Sequence, residues 1–226
     1  MVRARPSART VETRPVHDEL RRGRGAVTNA SGRFEREARE TFDDGWEGLA
    51  ALAPFKTEVQ VERPRRIIST NDSPDISFDQ SINPYRGCEH GCIYCYARPT
   101  HAYMGLSPGL DFETRLFAKT NAAELLRQEL SNPRYVPKAI ALGANTDPYQ
   151  PIEREHRITR SILEVLDETS HPVTIVTKSA LVLRDLDILR RLAERQLVKV
   201  ALSVTTFARG LARRMEPRAS TPPRRI

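Results

Sequence analysis

Apolar, β-branched runs alternate with amphipathic helical stretches through the second half of this 226-residue chain. The runs occupy Ala139–Gly143, Val173–Thr177 and Val198–Val204. The stretches between them, Glu155–Thr169 and Asp185–Arg195, carry leucine and isoleucine at helical spacing. Strands that recur about every 30 residues with a helix between them are typical of βα units, which build parallel sheets. The sequence therefore predicts an α/β fold.

A further, partly hydrophobic run over Ile76–Pro84 leads into a cysteine-containing loop, so we expect about four βα units. Residues 1–65 are rich in Arg, Gly, Pro and Ser and show weak apolar periodicity. We therefore expect a mostly irregular, Arg-rich N-terminal region over 1–65 and a folded core over 66–226. Within the first region, Trp46–Phe55 predicts a short helix and Val59–Val61 a strand fragment.

Each predicted strand is followed by a polar segment. These segments are Cys88–Cys95, Ala144–Asp147, Lys178–Ser179 and Ser203–Thr206. Taken singly, each of the last three segments has the composition of an ordinary loop or strand end. Because the carboxyl ends of parallel strands meet at one edge of a sheet, we expect the four segments to face one site.

The chain has only three cysteines, Cys88, Cys92 and Cys95, and all lie within eight residues. Three thiolates on one short loop can hold three irons of a four-iron cluster and leave the fourth iron an open position. A Cys3His zinc site with His90 or His101 is the alternative. An odd number of thiols packed this closely suits metal binding better than a disulfide framework.

The net charge of +7 lies at the ends of the chain. The first 40 residues carry ten Arg against six acidic residues, and residues 209–226 carry six Arg against one. Such ends can attract nucleic acid phosphates, although solvated tails often have the same composition. No apolar run approaches the ~18 residues of a membrane span, and no secretory signal is present. Because neither signal is seen and because thiols that bind iron must stay reduced, we expect a cytoplasmic protein with no membrane partner.

The segment from about Ile82 to Ile226 resembles the spore photoproduct lyase-like branch of the radical SAM superfamily, and more closely its DNA repair photolyase-like bacterial group. The C-x3-C-x2-C spacing with Tyr94 before the last cysteine is specific to the superfamily. The branch is indicated by further stretches, which read Asn83-Pro-Tyr-Arg-Gly-Cys88, Thr146-Asp-Pro-Tyr-Gln-Pro-Ile-Glu153, Thr177-Lys-Ser179, Ser203-Val-Thr-Thr206 and Glu216-Pro-Arg-Ala-Ser-Thr-Pro222.

The resemblance implies a partial (β/α) barrel of the radical SAM type with a [4Fe-4S] cluster at its mouth. Cys88, Cys92 and Cys95 would ligate the cluster, and S-adenosylmethionine would bind the open iron. The implied reaction is reductive cleavage of S-adenosylmethionine to a 5′-deoxyadenosyl radical, with a flavodoxin or ferredoxin as one-electron donor and nucleic acid as a candidate substrate.

The resemblance also implies contacts to S-adenosylmethionine. Tyr96 would approach the adenine, and Thr146 takes the position of a family serine that contacts the cofactor. Lys178 would meet the carboxylate or ribose, and Ser203 would offer a hydroxyl to the ribose. A point charge and hydroxyl groups suit these roles.

The sequence departs from the family at two points. Ala144 occupies the position of a hydrogen-donating cysteine of the spore photoproduct lyases, so we expect no thymine-dimer reversal by a thiyl route. The chain also stops soon after its fourth predicted strand, so we expect an incomplete barrel, an open edge along Val198–Val204, and poor solubility. The alternative function is a non-catalytic metal- or cluster-binding module that contacts nucleic acid through its Arg-rich ends.

Overall fold

The computed structural model of the protein describes residues 23–35 and 56–226. Strands β1 to β8 within these ranges span Glu58–Glu62, Ser69–Thr70, Gln80–Ile82, Tyr85–Arg86, Arg115–Lys119, Ile140–Leu142, Val173–Thr177 and Val198–Leu202. Helices α1 to α7 span Asp111–Thr114, Ala122–Leu130, Glu153–His156, Ile158–Glu168, Leu186–Glu194, Arg209–Met215 and Pro222–Arg225. Two 3-10 helices cover Arg98–Met104 and Ala180–Asp185. The helix predicted over Trp46–Phe55 lies outside the described residues.

The larger sheet has the strand order β2-β3-β6-β7-β8. Strands β3, β6, β7 and β8 run parallel, with Ile140 paired to Val173 and Ile175 paired to Val200. The two-residue β2 adds an antiparallel edge. The fold is therefore mixed α/β, and the predicted parallel strands near 80, 140, 173 and 198 are confirmed.

Helices α4 and α5 cover one face of this sheet. Ile162, Leu163 and Leu166 of α4 have no measurable exposure, and Ile188 and Leu192 of α5 have none either. Each fully buried aliphatic side chain contributes about 1.5–3 kcal/mol relative to an exposed one. The apolar residues that recur about every 3.6 positions in the sequence thus form the face of each helix that packs against the sheet.

Helix α4 begins at Ile158, three residues later than the sequence predicts. Arg157 has a positive φ of 51°, which breaks the run into the short α3 and the longer α4. The buried Glu153 carboxylate accepts hydrogen bonds from the backbone N–H of Thr159 (3.0 Å) and Arg160 (3.3 Å). It therefore caps the start of α4 from outside the helix.

A second, three-stranded sheet has the order β1-β5-β4. Strand β5 alternates buried and half-buried residues, with Leu116 and Ala118 inward, and it was missed by the sequence prediction. Strand β1 pairs in parallel with β5, and β4 pairs with it antiparallel through Tyr85 and Ala118. Because β4 leads directly into the cysteines, this sheet fixes where the cysteine loop starts.

Strand β8 lies at the edge of the larger sheet within the described part of the chain. Its apolar side chains Val200 and Leu202 are 39% and 43% exposed. An apolar, open edge of this kind is the one that the sequence predicts for Val198–Val204. Among the helices that the structure describes, none is both long and apolar enough to cross a membrane.

Candidate cluster and cofactor site

The cysteine loop connects β4 to the 3-10 helix that begins at Arg98. Two glycines with positive φ, Gly87 (74°) and Gly91 (65°), turn the chain within it. A Cβ on Gly87 would lie 2.8 Å from the Phe112 carbonyl oxygen, and one on Gly91 would lie 2.7 Å from Glu113 Oε2. Both positions therefore require glycine for backbone conformation and for space.

All three cysteines line one cavity of about 180 Å³. Cys88 and Cys92 are buried, and Cys95 is half-buried. The cavity is also lined by other residues, namely His90, Tyr94, Tyr96, Gly143, Asn145, Asp147, Val176, Thr177 and Lys178. Three thiol donors at one concave site match the ligand set that a [4Fe-4S] cluster with one open iron requires. The residues present thus fit the cluster.

The environment of the thiols is defined by burial and by nearby polar groups. Burial raises the pKa of Cys92 to about 12, and the Lys178 ammonium opposes this shift. Burial and the Asp147 charge raise the pKa of Cys88, while the backbone N–H groups of Asp147 and His90 oppose the rise. Polar groups and burial around a cysteine sulfur are among the features that tune an iron–sulfur centre.

The stretch Thr146–Glu153 clamps the start of the cysteine loop. Thr146 Oγ1 donates to the Tyr85 carbonyl (3.0 Å), and the Tyr85 hydroxyl donates to Glu153. The Gln150 side chain donates to the Gly87 carbonyl (3.1 Å) and accepts from the Glu89 N–H (2.9 Å). These contacts join segments more than 60 residues apart in the chain. The motif therefore acts largely as a support for the loop that carries the thiols.

Asp147 is the charged member of this motif at the cavity. Its carboxylate accepts from the Thr177 hydroxyl (2.7 Å), the Lys178 N–H (2.7 Å) and the Tyr149 N–H (2.9 Å). Asp147 Oδ2 lies 3.3 Å from Nδ1 of the buried His90, although the ring nitrogen is not aligned for a hydrogen bond. Burial disfavours the charged form of Asp147, but His90 and these donors outweigh it and lower the pKa of the carboxyl group.

Lys178 follows β7 and is half-buried at the cavity. Its Nζ lies 5.9 Å from the centroid of the Tyr94 ring. Among the described residues, no carboxylate lies within 4.0 Å of this ammonium group. The cation is thus available to a ligand with a negative charge or a lone pair.

Tyr94 is held from the C-terminal segment. Its hydroxyl donates to Glu216 and lies 3.0 Å from Thr205 Oγ1. Glu216 Oε2 also forms an ion pair with Arg225 (2.5 Å), and both side chains are 1% exposed. Neither Glu216 nor Arg225 was predicted as a site residue, because a partner 122 residues away from Tyr94 leaves no local signal in the sequence.

Two of the four predicted contacts to S-adenosylmethionine line the cavity, and the other two lie outside its lining. Lys178 and Tyr96 line the cavity, and Tyr96 is 74% exposed with its hydroxyl bonded to the Ala144 carbonyl. Thr146 is buried with its hydroxyl on Tyr85, and it is not part of the cavity lining. Ser203 is half-buried, bonded through its N–H to the Thr177 carbonyl (2.9 Å), and also lies outside the lining. All four roles stay predictions.

The two histidines of the zinc alternative are separated by the fold. His90 lines the cavity, whereas His101 is buried with its ring centroid 5.1 Å from that of Phe112 and its Nε2 2.9 Å from the Arg115 carbonyl. In the described ranges, no three His, Cys, Asp or Glu side chains are arranged around a single metal ion.

Within the N-terminal region, residues 23–35 pack against the cysteine loop. The buried Glu113 carboxylate accepts from the N–H groups of Gly25 (2.9 Å) and Ala26 (2.8 Å) and pairs with Arg98 (2.5 Å). Arg98 in turn donates to the Cys92 carbonyl (3.0 Å). This segment therefore belongs structurally to the outer support of the site.

Sequence comparison finds bacterial, archaeal and viral relatives. The chain is 40% identical over 151 residues to an uncharacterized protein of Mycobacterium tuberculosis, which covers 67% of this chain and 44% of the relative. It is 30% identical over 171 residues to an uncharacterized protein of Methanocaldococcus jannaschii, covering 76% of this chain and 61% of the relative. An uncharacterized protein of Acidianus two-tailed virus is 27% identical over 156 residues, 67% of this chain and 50% of the relative.

The matched region thus spans about half the length of these relatives. No solved structure matches the chain significantly. The sequence profile of the radical SAM superfamily matches residues 82–226, well over half of the chain and all of the cavity lining described above. Members of that superfamily use a [4Fe-4S] cluster and S-adenosylmethionine. On this match and on its cysteine cavity, the chain belongs to the radical SAM superfamily.

Proposed function

We propose that this chain is a radical SAM enzyme of the photolyase-like branch that acts on nucleic acid, with a flavodoxin- or ferredoxin-type protein as electron donor. The observation that carries the proposal is the single cavity shared by Cys88, Cys92, Cys95 and Lys178. The (β/α) barrel architecture of that branch is part of the same proposal, supported by the four parallel strands.

The residues of the cavity would bind two ligands, the cluster and S-adenosylmethionine. The three cysteines would hold the cluster, and Lys178 and Tyr96 would contact S-adenosylmethionine. When bound and reduced by the electron donor, the cluster would supply the one electron needed to cleave S-adenosylmethionine to methionine and a 5′-deoxyadenosyl radical, which would abstract a hydrogen atom from the substrate. The inner part of the cavity is formed by the buried Cys88, His90, Cys92 and Thr177, which would limit the access of water from that side.

The charge of helix α6 favours the proposal that the substrate is a polyanion. It carries Arg209, Arg213 and Arg214, all exposed, and no acidic residue. Within the described ranges, no carboxylate forms an ion pair with any of the three. The helix ends at the site, because the Met215 carbonyl accepts from the Ile93 N–H (3.0 Å) in the cysteine loop. Exposed arginines on a helix that ends against the cysteine loop are suited to phosphate groups.

The first experiment tests the cofactor chemistry. Anaerobic reconstitution should give about four irons per chain, and chromatography should detect 5′-deoxyadenosine after reduction with dithionite in the presence of S-adenosylmethionine. Cys92→Ala should lose the cluster and the product. Tetrahedral zinc with no visible absorption, or a loaded cluster that releases no 5′-deoxyadenosine, would contradict the enzyme assignment. The second result, together with oligonucleotide binding, would favour the non-catalytic module.

The second experiment tests nucleic acid as a partner. Fluorescence anisotropy with labelled single- and double-stranded oligonucleotides should show salt-dependent binding. The combined change Arg209→Gln, Arg213→Gln and Arg214→Gln should flatten the slope of log K against log salt by about 2–3. Arg190→Gln on the exposed face of α5 is the control for removing one arginine elsewhere. Equal slopes for the triple variant and the unchanged chain would argue against α6 as the contact.

A further inference from the structure

Asp147 lies where three segments of the site meet. Thr177 and Lys178 belong to the carboxyl end of β7, His90 belongs to the cysteine loop, and Tyr149 belongs to the loop that follows β6. The Asp147 carboxylate contacts all of them at 2.7–3.3 Å. No other described carboxylate contacts both the cysteine loop and the exit of β7.

The link is made by the side chain of Asp147, which accepts from the backbone N–H of Lys178 (2.7 Å) and lies 3.3 Å from Nδ1 of His90, a residue between Cys88 and Cys92. One carboxylate therefore relates the position of the cysteine loop to the position of the cavity lysine. A carboxylate with four partners is also held in a single orientation, since each oxygen has two of them.

We propose that Asp147 is a positioning residue that locks the cysteine loop to the Lys178 end of β7 and thereby sets the affinity for S-adenosylmethionine. Asp147 does not need to touch the cofactor for this role. The proposal rests on the cluster and cofactor of the superfamily and is independent of any nucleic acid substrate. Residues that orient a metal site from outside its ligands typically change affinity or activity by ~10–100-fold when they are removed.

The isosteric change Asp147→Asn removes the lock with little change in volume. An asparagine oxygen that faces Lys178 N–H places the amide NH2 against the Tyr149 N–H, so that two donors meet. The flipped amide places NH2 against the Lys178 N–H with the same result. In either orientation one backbone N–H loses its acceptor, and the exit of β7 must move or lose a hydrogen bond.

The experiment uses the reconstituted full chain and reads binding and spectroscopy. Equilibrium dialysis with labelled S-adenosylmethionine gives the dissociation constant, and EPR of the reduced cluster is recorded with and without the cofactor. For Asp147→Asn we expect about four irons per chain, a dissociation constant raised ~10–100-fold, and a diminished change of the EPR signal on adding S-adenosylmethionine. A role in fold stability alone would lower the thermal midpoint and leave the EPR change as it is.

Two further variants make the outcome decisive. Glu129→Gln is the matched control, because Glu129 also accepts from two backbone N–H groups, those of Ile67 (2.5 Å) and Ile68 (3.4 Å), and does not line the cysteine cavity. Thr177→Val removes one donor to Asp147 and should weaken binding in the same direction by less. If Asp147→Asn fails to take up iron, Thr177→Val decides by the same dialysis. Unchanged cofactor affinity in the variant that loads its cluster would overturn the proposal.

Discussion

Lys178 is the cation that the fold brings to the cysteine cavity, and its predicted role is to contact S-adenosylmethionine. We expect Lys178→Met, which keeps the apolar stem, to weaken cofactor binding about tenfold, equivalent to ~1.4 kcal/mol. Iron content should stay the same because Lys178 is not a cluster ligand. Isothermal titration of the loaded protein measures the change.

Lys199→Met is the control for Lys178. Lys199 is exposed on the neighbouring strand β8, so the control removes the same charge without touching the cavity. If both variants bind S-adenosylmethionine with the affinity of the unchanged chain, Lys178 has no part in cofactor binding.

Gly91 combines two demands on one residue, a φ of 65° and contact with the buried Glu113. Gly105 has nearly the same φ, 67°, but open space where a Cβ would lie. We therefore expect Gly105→Ala to lower the free energy of unfolding by about 1 kcal/mol through the backbone alone. Gly91→Ala should cost about 2–4 kcal/mol, since the steric conflict adds to that strain.

Urea unfolding monitored by circular dichroism compares these variants. Gly210→Ala is the opposite control, because Gly210 lies inside α6 with no atom within 4 Å of its Cβ position. It should raise stability by about 0.5–1 kcal/mol. Equal losses for Gly91→Ala and Gly105→Ala would show that the contact with Glu113 does not constrain the cysteine loop.

At the scale of elements, the C-terminal segment is joined to the cysteine loop by Glu216. Hydrogen bonds from Thr205, Tyr94 and Arg225 outweigh the burial that opposes ionisation, so the pKa of Glu216 is lowered from its ordinary value of 4.5. A carboxyl group with a depressed pKa stabilises the fold above its unfolded pKa, and this stabilisation is lost as pH falls through the folded pKa.

We expect Glu216→Gln to be less stable than the unchanged chain by about 2 kcal/mol at pH 7. That difference should shrink as pH falls from about 4.5, the ordinary pKa of the unfolded carboxyl group, through the lower pKa of the folded one. Thermal unfolding between pH 7 and pH 3 tests this. Glu168→Gln is the control, because Glu168 pairs with Arg127 at the exposed surface and should change stability by less than about 0.5 kcal/mol at any pH. A difference that is constant with pH would exclude the ionised form of Glu216 as the source.

At the scale of the whole molecule, β8 is an edge strand of the larger sheet in the described part of the chain. Val200 and Leu202 are exposed beside unpaired backbone groups, which is the arrangement that favours strand-to-strand contact between molecules. We expect Leu202→Lys to reduce self-association by severalfold, because a charged side chain on an edge strand opposes pairing. Light scattering against protein concentration measures it.

Val136→Lys is the control for the edge. Val136 is 63% exposed but lies outside any strand, so the substitution adds the same charge without changing an edge. If it reduces association as much as Leu202→Lys, net charge rather than the edge of β8 is responsible.

Features that depend on residues close together in the chain were predictable from the sequence alone. The cysteine spacing, the β-branched runs at β6, β7 and β8, and the helical stripes of α4 and α5 each depend on residues within one turn or one strand. These patterns also predict that the strand exits share an edge. They identify Lys178 as a site residue for the same reason, since a parallel sheet brings its carboxyl ends together.

Only the tertiary structure decided which partner each side chain at that edge contacts. Thr146 carries the sequence signal of a cofactor contact, yet its hydroxyl is bonded to the Tyr85 carbonyl. Asp147 reads as an ordinary turn residue before proline, yet it contacts two other segments at the cavity. The physical reason is that a hydrogen-bonding side chain takes the partner that the packed chain places within about 3 Å. For the pair Tyr94 and Glu216, 122 residues apart, only the fold brings the two groups together.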